Sequence, residues 1–307
     1  MNWFLNYLRR RLWPQPAPPM ITRQARTITH NSVSRYYEVD VPAKPVNVFG
    51  GGSPVIVCCH GGGSNPAAVR NESRFDELQA LNGEFIMVYP RGTTNSFGSG
   101  YYWNDGRNFK DGSAQTADDV GFIETIVAQV ASDFNGDLLH TYIAGYSNGA
   151  QMTHRLMHQA SDTFAAGGTI SGHRYPDAFF GDLPRPFPHI QFNGTSDLYG
   201  KYNGGTAIFD PVFETYTFPS APNTRDAWAL ANGTVATAKI TTINEAIEQQ
   251  YDPGESGAGY TFWVLLNAGH NWPGGNTEDV PSLGSTNTDI WAAQEMWRFF
   301  KRYSLPA

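Results

Sequence analysis

The chain has 307 residues, 40% of them hydrophobic and 16% charged, and is long enough to bury one large α/β core or two smaller ones. Its formal net charge of -7 argues against the strongly basic surface that nucleic-acid-binding proteins use, so no nucleic-acid partner is expected. The two cysteines, Cys58 and Cys59, are adjacent in an apolar run and would point to opposite faces of a strand, which excludes a disulfide framework and a zinc site.

Residues 1–22 differ in composition from the rest of the chain. Apolar residues at Phe4, Leu5, Leu8 and Leu12 surround an arginine cluster, and a proline-rich stretch follows. This pattern predicts an amphipathic arm and linker that either makes a peripheral contact with a membrane or another subunit, or docks loosely on its own domain. Its basic residues follow a short apolar stretch, the reverse of the order in a secretory signal, so the compartment stays open. We expect residues 23–307 to form a single catalytic domain.

Strand and helix patterns alternate along this domain. Two antiparallel strands are expected within residues 25–40, and later apolar strands at 54–59, 85–89, 141–146, 164–170, 188–193, 237–243 and 260–266. Helices are expected at 66–80, 118–130, 148–159, 223–231 and 288–303. The alternation predicts an α/β fold with a mostly parallel central sheet and helices on both faces.

A serine stands at the junction of one predicted strand and helix. Gly145-Tyr146-Ser147-Asn148-Gly149 fits the nucleophile-elbow pattern G-x-S-x-G. The two glycines suit a turn too tight for a neighbouring Cβ, and the turn would expose the Ser147 hydroxyl. The backbone N–H of Asn148, at the start of the helix, would face an anion that develops on a substrate carbonyl.

A glycine-rich turn follows the predicted strand 54–59. The segment His60-Gly61-Gly62-Gly63 has the composition of an oxyanion-hole loop and precedes the serine in the expected chain order. A phosphate-binding loop is the alternative, but the spacing fits neither G-x-G-x-x-G nor the P-loop with its lysine. We expect the backbone N–H groups of Gly62 and Asn148 to form the oxyanion hole.

A nucleophilic serine needs a histidine base and an acid that orients it, and in α/β hydrolases these follow the serine in the order acid, then histidine. Histidines before Ser147 or on its own helix do not fit, which leaves His173, His189 and His270. His173 leaves few intervening acids, and His189 begins a strand and so lies at the wrong end of the sheet. His270 follows the strand 260–266 and is the predicted base.

The predicted acid is Asp197, because it alone stands just beyond a clearly apolar strand between the serine and His270. Asp210 and Asp252 are reserve candidates. In the resulting triad Ser147 attacks an acyl carbon, His270 removes its proton, and Asp197 fixes the tautomer of His270.

Other side chains have weaker functional signals. Trp103, in a loop rich in aromatic residues, either contacts substrate or fills the core beneath the loop. His154 and His158 have a spacing that could serve a metal, but no glutamate stands between them as in metalloproteases, so they are interpreted as packing or helix-surface residues. No metal or cofactor is expected.

With these residues in place, the chain resembles the polyhydroxybutyrate depolymerase and feruloyl esterase group of the α/β hydrolases, the carbohydrate esterase family 1 type. The resemblance spans about residues 27–302. It is carried by segments 60–63, 88–90 with Trp103, 118–123, 145–149, 194–197 with 202–205, and 269–275.

This resemblance implies an α/β-hydrolase fold, a serine carboxylic ester hydrolase without cofactor or metal, and a triad of Ser147, Asp197 and His270. It places Trp272 where an aromatic side chain borders the acyl site. It also implies that the substrates are small or polymeric feruloyl, acetyl or short hydroxyacyl esters. Many members carry a paired cysteine where this chain has Gly62, and many are secreted. An acyltransferase or peptidase on the same fold, and a non-catalytic carbohydrate- or polymer-binding protein, are the alternatives.

Overall fold

The computed structural model describes residues 20–94, 100–107, 116–174, 183–206, 216–234, 238–276 and 281–306. Residues 1–19 of the predicted N-terminal arm lie outside the described residues, as does the reserve acid Asp210. Within the described part of the chain, no helix combines the length and the apolar character that crossing a bilayer requires.

The strands, in chain order, are β1 Ile21–His30, β2 Val33–Pro42, β3 Ser53–Cys59, β4 Ile86–Pro90, β5 Thr93–Thr94, β6 Tyr101–Tyr102, β7 Gly136–Tyr146, β8 Ala166–Ile170, β9 His189–Gly194, β10 Gly205–Thr206, β11 Thr217–Phe218, β12 Lys239–Ile243, β13 Ala246–Tyr251 and β14 Tyr260–Leu265. The helices are α1 Pro66–Ser73, α2 Phe75–Asn82, α3 Asp119–Phe134, α4 Asn148–Gln159, α5 Ala221–Ala231 and α6 Ala292–Phe300, with a 3-10 turn at Pro281–Leu283.

Ten of these strands form one sheet in the order β1-β2-β4-β3-β7-β8-β9-β14-β13-β12. The six central strands, β4 to β14 in that order, are parallel, and the antiparallel pairs lie at the two sides. The predicted mostly parallel α/β sheet is therefore confirmed. Because the carboxyl ends of parallel strands meet at one edge, the residues that follow β3, β7, β9 and β14 are brought together there.

Helices cover both faces of the sheet. Alternate residues of β3 enter two separate cores, Ile56 and Cys58 on one face and Val57 and Cys59 on the other. The first core contains residues of α1, α2 and α6, and the second contains residues of α3, α4 and α5. The two cysteines are free and fully buried, one in each core, as the alternation of a strand predicts.

The helix predicted over 66–80 is two helices, because the backbone changes direction at Arg74. This residue has φ +56°, in the left-handed region that ends a helix, and its N–H donates to the Arg70 carbonyl. The turn lets α2 bury Phe75 completely. The Arg74 guanidinium is held by Glu77 and by the Gly274 carbonyl, which stabilises a conformation that costs a non-glycine residue energy.

Two other expectations required correction near the end of the chain. Strand β13 was not predicted, because its residues Ala246–Tyr251 are mostly polar and only half-buried between the ends. The last helix spans Ala292–Phe300, shorter than the predicted 288–303. Asp289, at its predicted start, instead accepts hydrogen bonds from Asn244 and the Glu245 N–H and so closes the β12–β13 hairpin.

A buried polar layer lies between α4 and the sheet. The rings of His154 on α4 and His189 on β9 lie 5.2 Å apart, and both contact Trp228 of α5. His189 is hydrogen-bonded to Thr169, whereas neither ring nitrogen of His154 has a hydrogen-bond partner among the described residues. Burial lowers the pKa of His154 and of His189 well below the usual value, so both imidazoles are neutral in the folded protein.

Because His154 and His189 are buried as neutral groups, the folded protein should be less stable in mild acid. At pH 7.5 the two imidazoles are neutral in the folded and unfolded states alike. Below pH ~6.5 the unfolded chain binds protons that the folded chain does not, so the free energy of unfolding falls by up to ~1.4 kcal/mol per pH unit for each such histidine. Urea unfolding of the wild type between pH 7.5 and 5.5 measures this loss.

The His154→Phe variant should have a shallower pH dependence than the wild type, because it removes one of the groups that titrate. Ser147→Ala, on the same segment, removes no titratable group and should keep the wild-type slope. An unchanged slope in His154→Phe would contradict the assignment.

Candidate active site

Ser147 occupies the turn between β7 and α4 in a conformation that few non-glycine residues adopt. Its backbone has φ +55° and ψ -119°. A Cβ at Gly145 would overlap the Gly149 carbonyl, and a Cβ at Gly149 would overlap the Cys59 carbonyl. Both glycines of the predicted elbow are therefore required by the space available, and the turn leaves the serine partly exposed at the carboxyl edge of the sheet.

The structure brings the three predicted triad residues into one hydrogen-bonded chain. His270 Nε2 lies 2.9 Å from Ser147 Oγ, and His270 Nδ1 lies 2.7 Å from Asp197 Oδ2. The three residues follow β7, β9 and β14, which are separated in sequence but end at the same edge of the sheet. This geometry allows proton transfer from the serine to the imidazole.

Asp197 is buried, and both oxygens of its carboxylate have hydrogen-bond partners. Oδ1 accepts hydrogen bonds from the N–H groups of Tyr199 and Gly200, both at 2.8 Å, and Oδ2 faces the imidazole. Burial alone would raise the pKa of Asp197, but the charge and hydrogen bond of His270 and these two N–H groups together lower it. An ionised Asp197 holds the proton on His270 Nδ1 and leaves Nε2 free to accept the serine proton.

The backbone around His270 is fixed on both sides. Its N–H donates to the Leu283 carbonyl at 2.6 Å, and its carbonyl accepts the Tyr146 hydroxyl at 2.6 Å. Tyr146 is the residue before Ser147, so one side chain links this turn directly to the loop that carries His270. The sequence did not predict this link, since 124 positions separate the two residues.

The glycine turn after β3 lies against the elbow. A Cβ at Gly61 would be 3.6 Å from the Ser147 Cβ, and a Cβ at Gly62 would be 3.5 Å from the Asn148 Cβ. Asn148 is the first residue of α4, whose initial N–H groups have no acceptor within the helix. The two predicted oxyanion donors thus belong to adjacent backbone segments beside Ser147.

His60 supports this turn without taking part in the triad. Its Nδ1–H donates to the Gly61 carbonyl at 2.7 Å, and its Nε2 accepts the Gly92 N–H at 3.1 Å. Burial lowers the pKa of His60 to about 4, so it remains neutral with one defined tautomer. The sequence signal for this role was its position directly before the glycines.

Comparison with known proteins identifies sequence relatives that are named as esterases. No protein-family model matches the chain. It is 28% identical over 233 residues to feruloyl esterase B of Piromyces equi, which covers 74% of this chain and 38% of that protein. It is 25% identical over 174 residues to a bifunctional acetylxylan esterase/xylanase of Neocallimastix patriciarum, which covers 56% of this chain and 23% of that protein.

Among solved structures, the acetyl xylan esterase from Aspergillus awamori matches with a TM-score of 0.59 at 15% identity, over 92% of this chain and 99% of that one. The chain has the α/β-hydrolase fold. The predicted likeness to feruloyl and carbohydrate esterases is confirmed, and the chain spans well under half the length of both sequence relatives.

Within this α/β-hydrolase fold the two tryptophans predicted to bind substrate are core residues. Trp103 and Trp272 are fully buried. The Trp103 indole N–H donates to the His60 carbonyl at 2.9 Å, and Trp272 packs edge-on against Phe75 and Tyr146. Neither indole has accessible surface, which favours the core-filling alternative for Trp103.

The alternative candidates within the described residues are not part of the hydrogen-bonded chain of Ser147, His270 and Asp197. His189 is buried in β9 and His154 faces Trp228, while Asp252 is exposed after β13. His173 is fully buried, with its ring 5.8 Å from that of Phe218. In the described ranges no group of three or more His, Cys, Asp or Glu side chains is arranged to hold a metal ion.

The backbone of Ser147 gives a test of the elbow that is independent of substrate. A backbone conformation with φ near +55° and ψ near -119° costs a residue other than glycine about 1–3 kcal/mol. We expect Ser147→Gly to be more stable than Ser147→Ala by about 1 kcal/mol, since both lose the hydroxyl and only glycine relieves the strain. Equilibrium urea unfolding of the two variants measures the difference. If the glycine variant were no more stable than the alanine variant, the backbone at Ser147 would not be strained.

Proposed function

We propose that the chain is a serine carboxylic ester hydrolase that acts on feruloyl or acetyl esters through Ser147, His270 and Asp197. The observation that carries the proposal is the hydrogen-bonded chain from Ser147 Oγ through His270 to Asp197, at 2.9 and 2.7 Å. The substrate class is supported by the two sequence relatives, one a feruloyl esterase and the other an acetylxylan esterase/xylanase.

In the acylation step Ser147 Oγ forms a bond to the ester carbonyl carbon while its proton moves to His270 Nε2. The carbonyl oxygen becomes an oxyanion, which the N–H groups of Gly62 and Asn148 stabilise, each by about 3 kcal/mol in comparable sites. Collapse of this intermediate breaks the bond to the alcohol oxygen, which takes the proton from His270. The alcohol leaves and an acyl-serine remains.

Deacylation repeats these events with water. His270 takes a proton from the water as its oxygen attacks the acyl carbon, and then returns the proton to Ser147 Oγ when the carboxylic acid leaves. Asp197 stays ionised throughout and stabilises the imidazolium that forms twice in the cycle. The chemistry requires no redox step.

The first test compares the wild type with Ser147→Ala on p-nitrophenyl acetate, p-nitrophenyl butyrate, methyl ferulate and a hydroxybutyrate oligomer. The wild type should hydrolyse methyl ferulate or the acetate, and the variant should lose all triad-dependent turnover because no nucleophile remains. Fluorophosphonate should label the wild type at Ser147.

Retained hydrolysis by Ser147→Ala would contradict the mechanism. Preferential acyl transfer to added alcohols, or cleavage of peptide substrates, would instead favour the acyltransferase or the peptidase. Absent labelling together with tight sugar binding would favour a non-catalytic binding protein.

A second test distinguishes the proposed acid from its reserve. Asp197→Asn should lower kcat by about four orders of magnitude, because the amide cannot hold the required His270 tautomer. Asp252→Asn removes an exposed carboxylate after β13 and should leave kcat unchanged. Steady-state kinetics on the best ester of the panel give both values, and near-wild-type turnover by Asp197→Asn would refute its role.

A further inference from the structure

A buried aspartate outside the triad lies beside the nucleophile elbow. Asp105 is fully buried in the loop that follows β6. Its Oδ2 accepts a hydrogen bond from the side-chain Nδ2 of Asn148 at 2.7 Å. Asn148 is the residue after the nucleophile, and its backbone N–H is one of the two proposed oxyanion donors.

The side chain of Asn148 is held at both of its polar atoms. Its Oδ1 accepts the Trp103 N–H at 2.8 Å, and its Nδ2 is shared between the Asp105 carboxylate and, at 3.3 Å, the Trp103 carbonyl. An amide held on both sides cannot rotate without breaking these bonds. Because only one Cα separates this side chain from the backbone N–H, fixing the side chain restricts the direction in which the N–H points.

A buried carboxylate near an oxyanion would oppose catalysis if its charge were not balanced. Arg107 forms a two-pronged ion pair with Asp105, through Nε at 3.0 Å and a terminal nitrogen at 2.7 Å. The guanidinium is itself nearly buried. The pair therefore keeps a strong acceptor for Asn148 while the net charge beside the oxyanion stays close to zero.

The loop is also fastened at points that do not involve Asp105. The Asn104 N–H donates to Asp119 at 2.7 Å, and Arg155 of α4 donates to the Asn104 carbonyl at 2.6 Å. The Trp103 indole holds the loop to the His60 carbonyl. Removal of the Asp105 carboxylate should therefore loosen Asn148 without releasing the whole loop.

We propose that Asp105 is a positioning residue for ester hydrolysis: it holds the Asn148 side chain, and through it the Asn148 N–H, in the orientation that receives the oxyanion, while Arg107 balances its charge. This inference rests on the proposed function of Ser147. It assigns to the 103–107 loop a role in stabilising the transition state rather than in binding the ester.

The test uses Asp105→Ala, Asp105→Asn, Arg107→Met and the double variant Asp105→Asn/Arg107→Met, in the full chain. Asp105→Ala should lower kcat on the order of tenfold or more, since small displacements of catalytic groups have large effects on rate, with KM within about twofold. Asp105→Asn keeps an acceptor oxygen for Asn148 and should recover most of the loss.

Arg107→Met leaves the Asp105 charge unbalanced beside the oxyanion. It should therefore be slower than the double variant, which removes the charge and the cation together. This reversal, in which a second substitution restores activity, is not expected if the pair serves stability alone.

Asp40→Asn is the matched control. Asp40 is also fully buried and also paired to arginines, Arg23 and Arg70, but it belongs to β2 and contacts none of the triad residues. The Asp40→Asn variant should lower the midpoint of thermal unfolding, as Asp105→Ala should, yet keep kcat within about twofold of the wild type.

A phenylboronic acid, which forms a tetrahedral adduct with a catalytic serine, gives a second readout. Its affinity should fall in parallel with kcat/KM across the Asp105 and Arg107 variants, while the affinity for free ferulate stays constant. An active wild type whose folded Asp105→Ala variant keeps its kcat would overturn the positioning role alone. A wild type without serine-dependent hydrolysis would overturn the proposed function and this inference with it.

Discussion

The passage from β7 into α4 leaves no room for a side chain at Gly145 or Gly149, two residues before and after Ser147, and the active site depends on this steric constraint. Gly149 lets the first turn of the helix pack against β3, whose last carbonyl group occupies the space a Cβ would need, and Gly145 leaves room for the Gly149 carbonyl. The same proximity brings the His60-Gly61-Gly62 turn beside the serine. Packing of one helix on one strand therefore sets both the position of Ser147 and its surroundings.

The ionisable groups of the site are divided between those that stay neutral and those that stay charged. His60 is kept neutral by burial, and its two ring nitrogens join the glycine turn to the backbone of Gly92 after β4. Asp197 is kept charged by backbone donors and by His270. His270 lies between a fixed anion and a hydroxyl, which is the arrangement that a proton acceptor requires. Of the remaining buried histidines, those on α4 and β9 belong to the packing of the sheet, and His173 lies against Phe218.

Local sequence determined the elements that carry the site, but not the contacts that hold them together. The strand ends and the G-x-S-x-G turn were predictable because apolar runs and glycines report burial and tight turns directly. The break at Arg74 was not, because a left-handed arginine is tolerated only when Glu77 and Gly274 hold its side chain. Strand β13 lacks apolar alternation and forms because its neighbours offer a free edge.

The complete burial of the two tryptophans could not be predicted for a related reason. A large aromatic residue beside a catalytic motif has the same sequence signal whether its ring points to solvent or to the core. The hydrogen bond from Trp103 to His60 and the packing of Trp272 on Phe75 depend on segments distant in the chain. The bonds of Asn148 to the 103–107 loop are equally distant and carried no local signal.

The two cysteines of the chain lie side by side in β3 but enter different cores, and burial raises the pKa of both thiols. A thiol that stays protonated and out of solvent reacts slowly with oxidants and disulfides. The native state contains no disulfide bond, since both cysteines of the chain are free. Folding of this domain should thus be indifferent to the redox potential of its surroundings.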